Sequence, residues 1–221
     1  MGLKKERAVL GVLFFALCVC CASAHAAPPI TVTSSSVGAA GSLGFPELPD
    51  QFGCYADSSS LGISPQLSWG QFPKTTKRFA VIVSDPDAPS GAFFHWGMYN
   101  IPKNKSSFAE NLGKFSGGGT KQTLNDFGGK GYGGACPPTG EVHRYVFEVF
   151  ALKDKLTLPA TTTAKQLKKA LKKQFKSLVA AKGSFTAVYP IDCVSAGNCT
   201  EEGCLNRGNT WSCTNNVCTC S

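Results

Sequence analysis

Apolar and polar positions alternate in short bursts along most of the chain, and the bursts are bounded by Gly, Pro, Asn or Asp. Their β-branched and aromatic content predicts strands over Gln66–Trp69, Phe79–Ser84, His95–Ile101, Val142–Leu152 and Ser184–Tyr189. One segment follows a different period. Leu167, Leu171, Phe175 and Leu178 recur every three or four residues, which predicts an amphipathic helix with an apolar stripe. Lys165, Lys168, Lys169, Lys172, Lys173, Lys176 and Lys182 belong to the same segment, with no acid among them. A solvated outer face accounts for these lysines most simply, and contact with an anionic surface is the alternative. Many strands and one helical segment point to a mainly β, β-rich α+β protein.

Both ends depart from this pattern. Lys4, Lys5 and Arg7 precede an apolar run from Ala8 to Cys21, followed by small residues, the plan of a secretory signal peptide over residues 1–26. The run is shorter than the ~20 residues that span a bilayer. Ala22-Ser23-Ala24 and Ala24-His25-Ala26 both suit cleavage, so the mature chain is expected to start at His25 or Ala27 and to be secreted. Residues 27–44, rich in Ser, Thr, Gly and Ala, suit a flexible lead-in or a poorly ordered edge strand, with folding proper beginning near Phe45.

Cysteine usage separates body from tail. Of eleven cysteines, Cys18, Cys20 and Cys21 lie in the leader and Cys54 and Cys136 in the body. The other six, Cys193, Cys199, Cys204, Cys213, Cys218 and Cys220, crowd residues 193–221. An even count in an oxidising compartment reads as disulfides. The tail has too little apolar content for a core, so bridges are expected to hold it. The net charge is +8, of which Lys4, Lys5 and Arg7 against Glu6 put two in the leader. Most of the rest sits in the lysine segment, which has neither interleaved aromatics nor a nucleic-acid motif, so no nucleic-acid partner is expected. Asn104 and Asn198 each open an N-x-[ST] glycosylation sequon.

Candidate chemistry is constrained by the scarcity of histidine. His25 sits at the cleavage site, which leaves His95 and His143, each at the start of a predicted strand and each following a proline-bearing loop. Between them runs a glycine-dominated stretch, Ser116–Gly140, too punctuated for a helix or a regular strand. A loop this long in a compact domain is usually functional. Gly129, Gly131 and Gly134 match GxGxxG, yet Pro137 and Pro138 preclude the helix that a dinucleotide site needs, and no cofactor is expected.

Several chemistries stay open at this level. GxSxG is absent, and nothing marks an activated serine. HExxH is absent too, although His95 and His143 with Asp85 or Asp87 would form a two-histidine, one-carboxylate metal set; no metal is assigned. Cys136 as a nucleophile competes with a bridge to Cys54, the simpler account in a secreted protein. The remaining reading is an anion pocket in which imidazoles and glycine-loop amides donate while a carboxylate accepts. A phosphate that also carries an amine, such as phosphoethanolamine, would use both signs.

"SDPDAP" at Ser84–Pro89, "FHW" at Phe94–Trp96 with a following "YNIP", and "DFGGKGYGGACPPTGEVHRYVFEVFAL" at Asp126–Leu152 resemble the signature segments of the phosphatidylethanolamine-binding protein family, also called the Raf kinase inhibitor protein family. "SPQLSWG", with Cys54 upstream, is similar to its bacterial-type members, and the resemblance covers roughly residues 45–192. It implies a large antiparallel sheet packed on a smaller one with flanking helices, and a small cavity for phosphate-like anions or phospholipid headgroups. Carried over by position, the cavity draws on Asp85, His95, His143 and Tyr145, with Pro89 and Trp96 shaping its wall. Gly134, Cys136 and Pro138 belong to the loop whose backbone approaches the anion. Ala135 stands where bacterial-type members usually have proline, and Phe93-Phe94 replaces a tryptophan followed by a smaller apolar residue.

The expectation is thus a secreted, non-enzymatic binder of a phospholipid headgroup or small phosphate-like anion, with a disulfide-rich tail. A kinase-regulating role fits badly with a secretory leader. The rival is a secreted serine-protease inhibitor or interaction module that meets an extracellular partner or a membrane surface through the pocket rim or tail.

Overall fold

The protein is described here by a computed structural model covering residues 29–41, 43–54, 62–113, 115–138, 141–174 and 177–189, with the backbone of 211–214 and 217–220. Its strands are β1 (Thr31–Thr33), β2 (Leu67–Gly70), β3 (Arg78–Asp85), β4 (Phe93–Pro102), β5 (Ser107–Phe108), β6 (Lys121–Gln122), β7 (His143–Leu152), β8 (Val179–Tyr189), β9 (Trp211–Thr214) and β10 (Val217–Cys220). One α-helix, α1, spans Ala164–Lys173. The sheets are antiparallel: five strands in the order β6-β4-β3-β7-β8, three in the order β1-β2-β5, and the hairpin β9-β10.

Period-two alternation in β3 explains the layering. Phe79, Val81 and Val83 project to one face and join Val32, Leu67, Trp69 and Phe108 of the small sheet in one core. Ala80 and Ile82 project to the other face and join Leu167 and Leu171 of α1 in a second core. The large sheet is therefore the middle of three layers, buried on both sides, which is why its strands read as nearly continuous apolar runs. Burial of each such Leu or Ile contributes about 1.5–3 kcal/mol.

In β4 the alternation is broken twice. Val83 pairs with Trp96 but Ser84 with Phe94, so His95 is the extra residue of a β-bulge. Phe94 consequently faces the helix layer while Trp96 faces the small sheet. A second irregularity falls at Asn100, which has a positive φ of 59° and whose amide exchanges two hydrogen bonds with the Leu156 backbone. Gly97 lies between the bulges, and a Cβ there would come within 2.3 Å of Thr123 Oγ1 and 3.0 Å of the Ala164 Cβ. Its lack of a side chain lets the start of α1 sit directly on the strand.

The helix is shorter than its lysine segment. A capping box between Thr163 and Gln166 opens it, and Lys182, expected on it, lies on β8. Nor is every lysine on a solvated face: Lys168, with its side chain only 17% exposed, pairs with Glu148 and lies 5.1 Å from the Phe150 ring. The stretch 27–44 includes the edge strand β1, where Ile30 and Val32 are buried and Ser34 donates to the Gln66 carbonyl. Asn104 is exposed in the turn after β4. The signal peptide, Phe175, Asn198, Cys193, Cys199 and Cys204 lie outside the described residues. Cys213 and Cys218 oppose each other in the β9-β10 register. Among the described residues no helix is long and apolar enough to cross a membrane.

Cys54 and Cys136 form a disulfide across a separation of 82 residues. Closing so long a loop restricts the unfolded chain, and replacing both residues by Ser is expected to lower unfolding free energy by about 2–4 kcal/mol. Urea melts measure this; an unchanged midpoint contradicts it.

Candidate functional site

Asp85 ends β3 on the same face as Val81 and Val83, and the alternation of β7 puts His143 and Tyr145 on that face of the neighbouring strand. Beyond Asp85 the chain must turn, and Asp85 Oδ1 accepts the Asp87 N–H at 2.8 Å in an Asx-type turn. Asp87 then ties the turn to β7. Its carboxylate accepts the Arg144 N–H and Nε–H, each at 2.9 Å, and a third bond from the guanidinium at 2.6 Å. The hydrogen bonds from Arg144 outweigh partial burial and bring the Asp87 pKa down to about 2. That contribution to stability is whole above pH 3.8 and is lost as pH falls through about 2.

His143 is 3% exposed and meets a carboxylate at each ring nitrogen: Asp85 Oδ2 lies 2.7 Å from Nδ1 and Glu141 Oε2 2.9 Å from Nε2. A ring flanked this way donates from both nitrogens and is an imidazolium. Burial opposes the charge, but the bonds to Glu141 and Asp85 overcome it and raise the pKa. Tyr145 stands behind the pair. Burial, reinforced by the Asp85 charge, raises its pKa, and its hydroxyl accepts the Cys136 N–H at 3.1 Å.

The bulge sets His95 among Phe93, Phe127 and Tyr145, with ring centroids 5.0, 5.6 and 5.2 Å away. Its Nδ1 lies 2.9 Å from the Gly133 carbonyl, which can only accept, so Nδ1 carries the proton. Burial lowers the His95 pKa despite that bond. With its proton on Nδ1, the neutral form of the ring presents Nε2 as a lone pair.

Asp85, Ala88, Pro89, Phe93, His95, Phe127, Cys136, Pro138 and His143 enclose a cavity of about 160 Å³. Six of the expected residues thus line one space: Asp85, Pro89, His95, Cys136, Pro138 and His143. Tyr145 contacts the lining from behind. Trp96 does not shape the wall; after the bulge it points into the core between the sheets, donating to Gln122 Oε1 at 2.8 Å. Gly134 is not in the lining either, and three of the neighbouring amides are engaged within the fold. The Gly133, Ala135 and Cys136 N–H groups go to the His95 carbonyl, the Phe52 carbonyl and the Tyr145 hydroxyl, and Pro137 and Pro138 have none to give. The glycines of GxGxxG lead into β7 and not into a helix. The disulfide removes Cys136 as a nucleophile. Among the described residues, no three His, Cys, Asp or Glu side chains are arranged to hold a metal ion.

The sequence profile described as "Phosphatidylethanolamine-binding protein" matches residues 34–186. The chain belongs to the phosphatidylethanolamine-binding protein family. Its relatives include a UPF0098 protein of Aquifex aeolicus (strain VF5), 43% identical over 124 residues that make up 55% of this chain and 70% of that protein. The UPF0098 protein YbcL of Escherichia coli (strain K12) is 41% identical over 128 residues, 55% of this chain and 68% of that one. The crystal structure of E. coli YbcL, a member of the mammalian phosphatidylethanolamine-binding family, aligns with a TM-score of 0.62 and 32% identity over 73% of this chain and 98% of that one. A phosphatidylethanolamine-binding protein homologue from Chlamydia trachomatis gives 0.60 and 30% over 74% and 99%. The fold expected from the motifs, a large antiparallel sheet packed on a smaller one, is the fold of this family member.

Sequence reasoning missed Glu141, Gly133 and Phe127 as parts of the site, whereas Phe93, singled out as a departure from the family pattern, lies in the lining. Glu141 had a signal, since in extended chain a residue two before His143 lies on the same side. Phe127 had none, because it reaches the site through a loop.

The two histidines are expected to titrate on opposite sides of 6.5 in a histidine-resolved NMR titration, with His143 above and His95 below. The stability from His143 is whole below pH 6.5 and lost as pH rises through its raised folded value. That from His95 is whole above 6.5 and lost as pH falls through its lowered one. The reverse titration order contradicts both assignments.

Proposed function

We propose that this family member binds a phosphate-like anion or phospholipid headgroup in the cavity between Asp85, His95 and His143, without turnover, and that it does so outside the cell. The observation that carries this reading is the charge arrangement at His143: a buried imidazolium, held from behind by a carboxylate, at the edge of a small cavity. Asp85 is already satisfied by His143 and by the Asp87 N–H, so it positions the imidazolium and does not itself face an incoming anion. Neutral His95 offers a lone pair that suits a singly protonated phosphate oxygen, and the rings of Phe93 and Phe127 limit access of water around it.

Size supports the same class. A cavity of about 160 Å³ takes roughly five waters at ~30 Å³ each. That suits a phosphate group and falls below the ~300 Å³ at which drug-sized pockets begin. An acyl chain has no room, so a lipid would enter by its headgroup alone. Wider surface clefts of about 500 and 550 Å³ lie elsewhere, one beside the lysines of α1 and one beside Phe115 and Lys130, without a buried histidine in their walls.

Turnover would need an activated nucleophile, and Asp85, His143 and Glu141 are tied to one another while Cys136 is in a disulfide. The extracellular assignment rests on the leader and on the Cys54–Cys136 bridge, which suits an oxidising compartment. N-terminal sequencing of protein secreted by a eukaryotic host is expected to begin at His25 or Ala27, and retention of Met1 contradicts the assignment.

His95→Ala and His143→Ala are each expected to weaken binding of inorganic phosphate and phosphoethanolamine. One hydrogen bond to a charged group is worth about 1.5–3 kcal/mol, on the order of tenfold to a hundredfold in affinity. Calorimetric titration reads this directly. Unchanged affinity in both variants, with folding verified by thermal melts, refutes the site assignment, and steady hydrolysis of a phosphate ester refutes its non-catalytic character.

A further inference from the structure

The chain supplies a carboxylate for each N–H of His143, and the two carboxylates are not equivalent. Asp85 is 3% exposed and fixed by the turn after β3. The side chain of Glu141 is 52% exposed and comes from the lip of the cavity, where its backbone N–H donates to the carbonyl of the lining residue Pro138. One carboxylate oxygen of Glu141 takes the Nε2–H at 2.9 Å. That proton is the strongest hydrogen-bond donor near the cavity, since Nδ1 of His143 goes to Asp85 and Nδ1 of His95 goes to Gly133. An anion that enters finds its best partner already taken.

We propose that Glu141 is an internal anion standing where the ligand's anion belongs: a bound phosphate takes the Nε2–H of His143 from it, and the displaced carboxylate accepts the ammonium of a zwitterionic ligand. Glu141 is then a specificity-determining residue. The inference rests on the reading of this cavity as an anion site and adds to it which anions are preferred. Bare phosphate leaves the displaced carboxylate without a partner and close to a like charge, which costs affinity. Phosphoethanolamine carries its own cation on a two-carbon arm, and the freed carboxylate gains a charge-assisted hydrogen bond in exchange for the one it gave up. No proton need change hands, since the imidazolium keeps both of its own and merely exchanges one acceptor for another.

The exposed position of Glu141 makes Glu141→Gln a mild change for folding. Calorimetric titrations with inorganic phosphate and with phosphoethanolamine are compared in the unchanged protein, in Glu141→Gln, and in His143→Asn with and without Glu141→Gln. The unchanged protein is expected to prefer phosphoethanolamine by about tenfold, and Glu141→Gln to bind bare phosphate about tenfold more tightly while the preference collapses. On the His143→Asn background, Glu141→Gln is expected to raise phosphate affinity by much less than tenfold, because only like-charge repulsion is relieved and no imidazolium remains to be released. Equal preference in the unchanged protein and Glu141→Gln overturns the role of Glu141 and leaves the anion site standing. The same tenfold gain on the His143→Asn background also overturns it, since mere relief of repulsion then suffices. Failure of the unchanged protein to bind either probe overturns the anion site and the inference together.

Discussion

The bond between Asp85 and His143, 2.7 Å long and buried, is the interaction on which the rest of the site depends. A carboxylate removed from water at the end of a strand must find a partner, and the imidazolium on the adjacent strand meets that need while itself requiring the charge. Neither group is stable in its place without the other. Asp85 also accepts the Asp87 N–H, so the same carboxylate shapes the turn, and Asp87 in turn holds Arg144 beside the histidine. The wall of the cavity, its charge and the pairing of β3 with β7 form one connected arrangement.

The architecture was largely legible in the residue pattern, because a strand buried on both sides betrays itself by an apolar run between turn residues. Five predicted strands correspond to β2, β3, β4, β7 and β8 within a few residues at their ends. The start of β8 was obscured because Leu178 and Lys182 continue the three-to-four spacing of α1, although Leu178 and Val179 already lie in the return toward the sheet. The bulges at His95 and Asn100 were not legible either. In "FFHWGMYNIP" nearly every residue is buried, the polar His95 and Asn100 included, so no exposed position marks where the alternation flips.

The candidate site was legible where its chemistry is carried by residue type and order. Asp85, His95 and His143 are distinctive, and they meet. It was not legible where glycine content stood in for geometry. The loop before β7 reads as a set of free amides, yet those amides are needed to fold the loop itself onto His95, Phe52 and Tyr145. Backbone donors in a buried loop belong first to the fold, and the Gly133, Ala135 and Cys136 amides are spent on it.

Cys136 is both a lining residue of the cavity and one half of a covalent tie to Cys54. One side of the binding space is therefore fastened by a bond whose existence depends on the redox poise of its surroundings. Where thiols stay reduced, that covalent tie is absent, and this side of the cavity rests on non-covalent contacts such as the Cys136 amide to Tyr145, the Glu141 amide to Pro138 and the strand-like contacts of Ala135. The wall of the cavity is then looser without the bridge and firmer with it, so that its shape is completed by oxidation and not by folding alone.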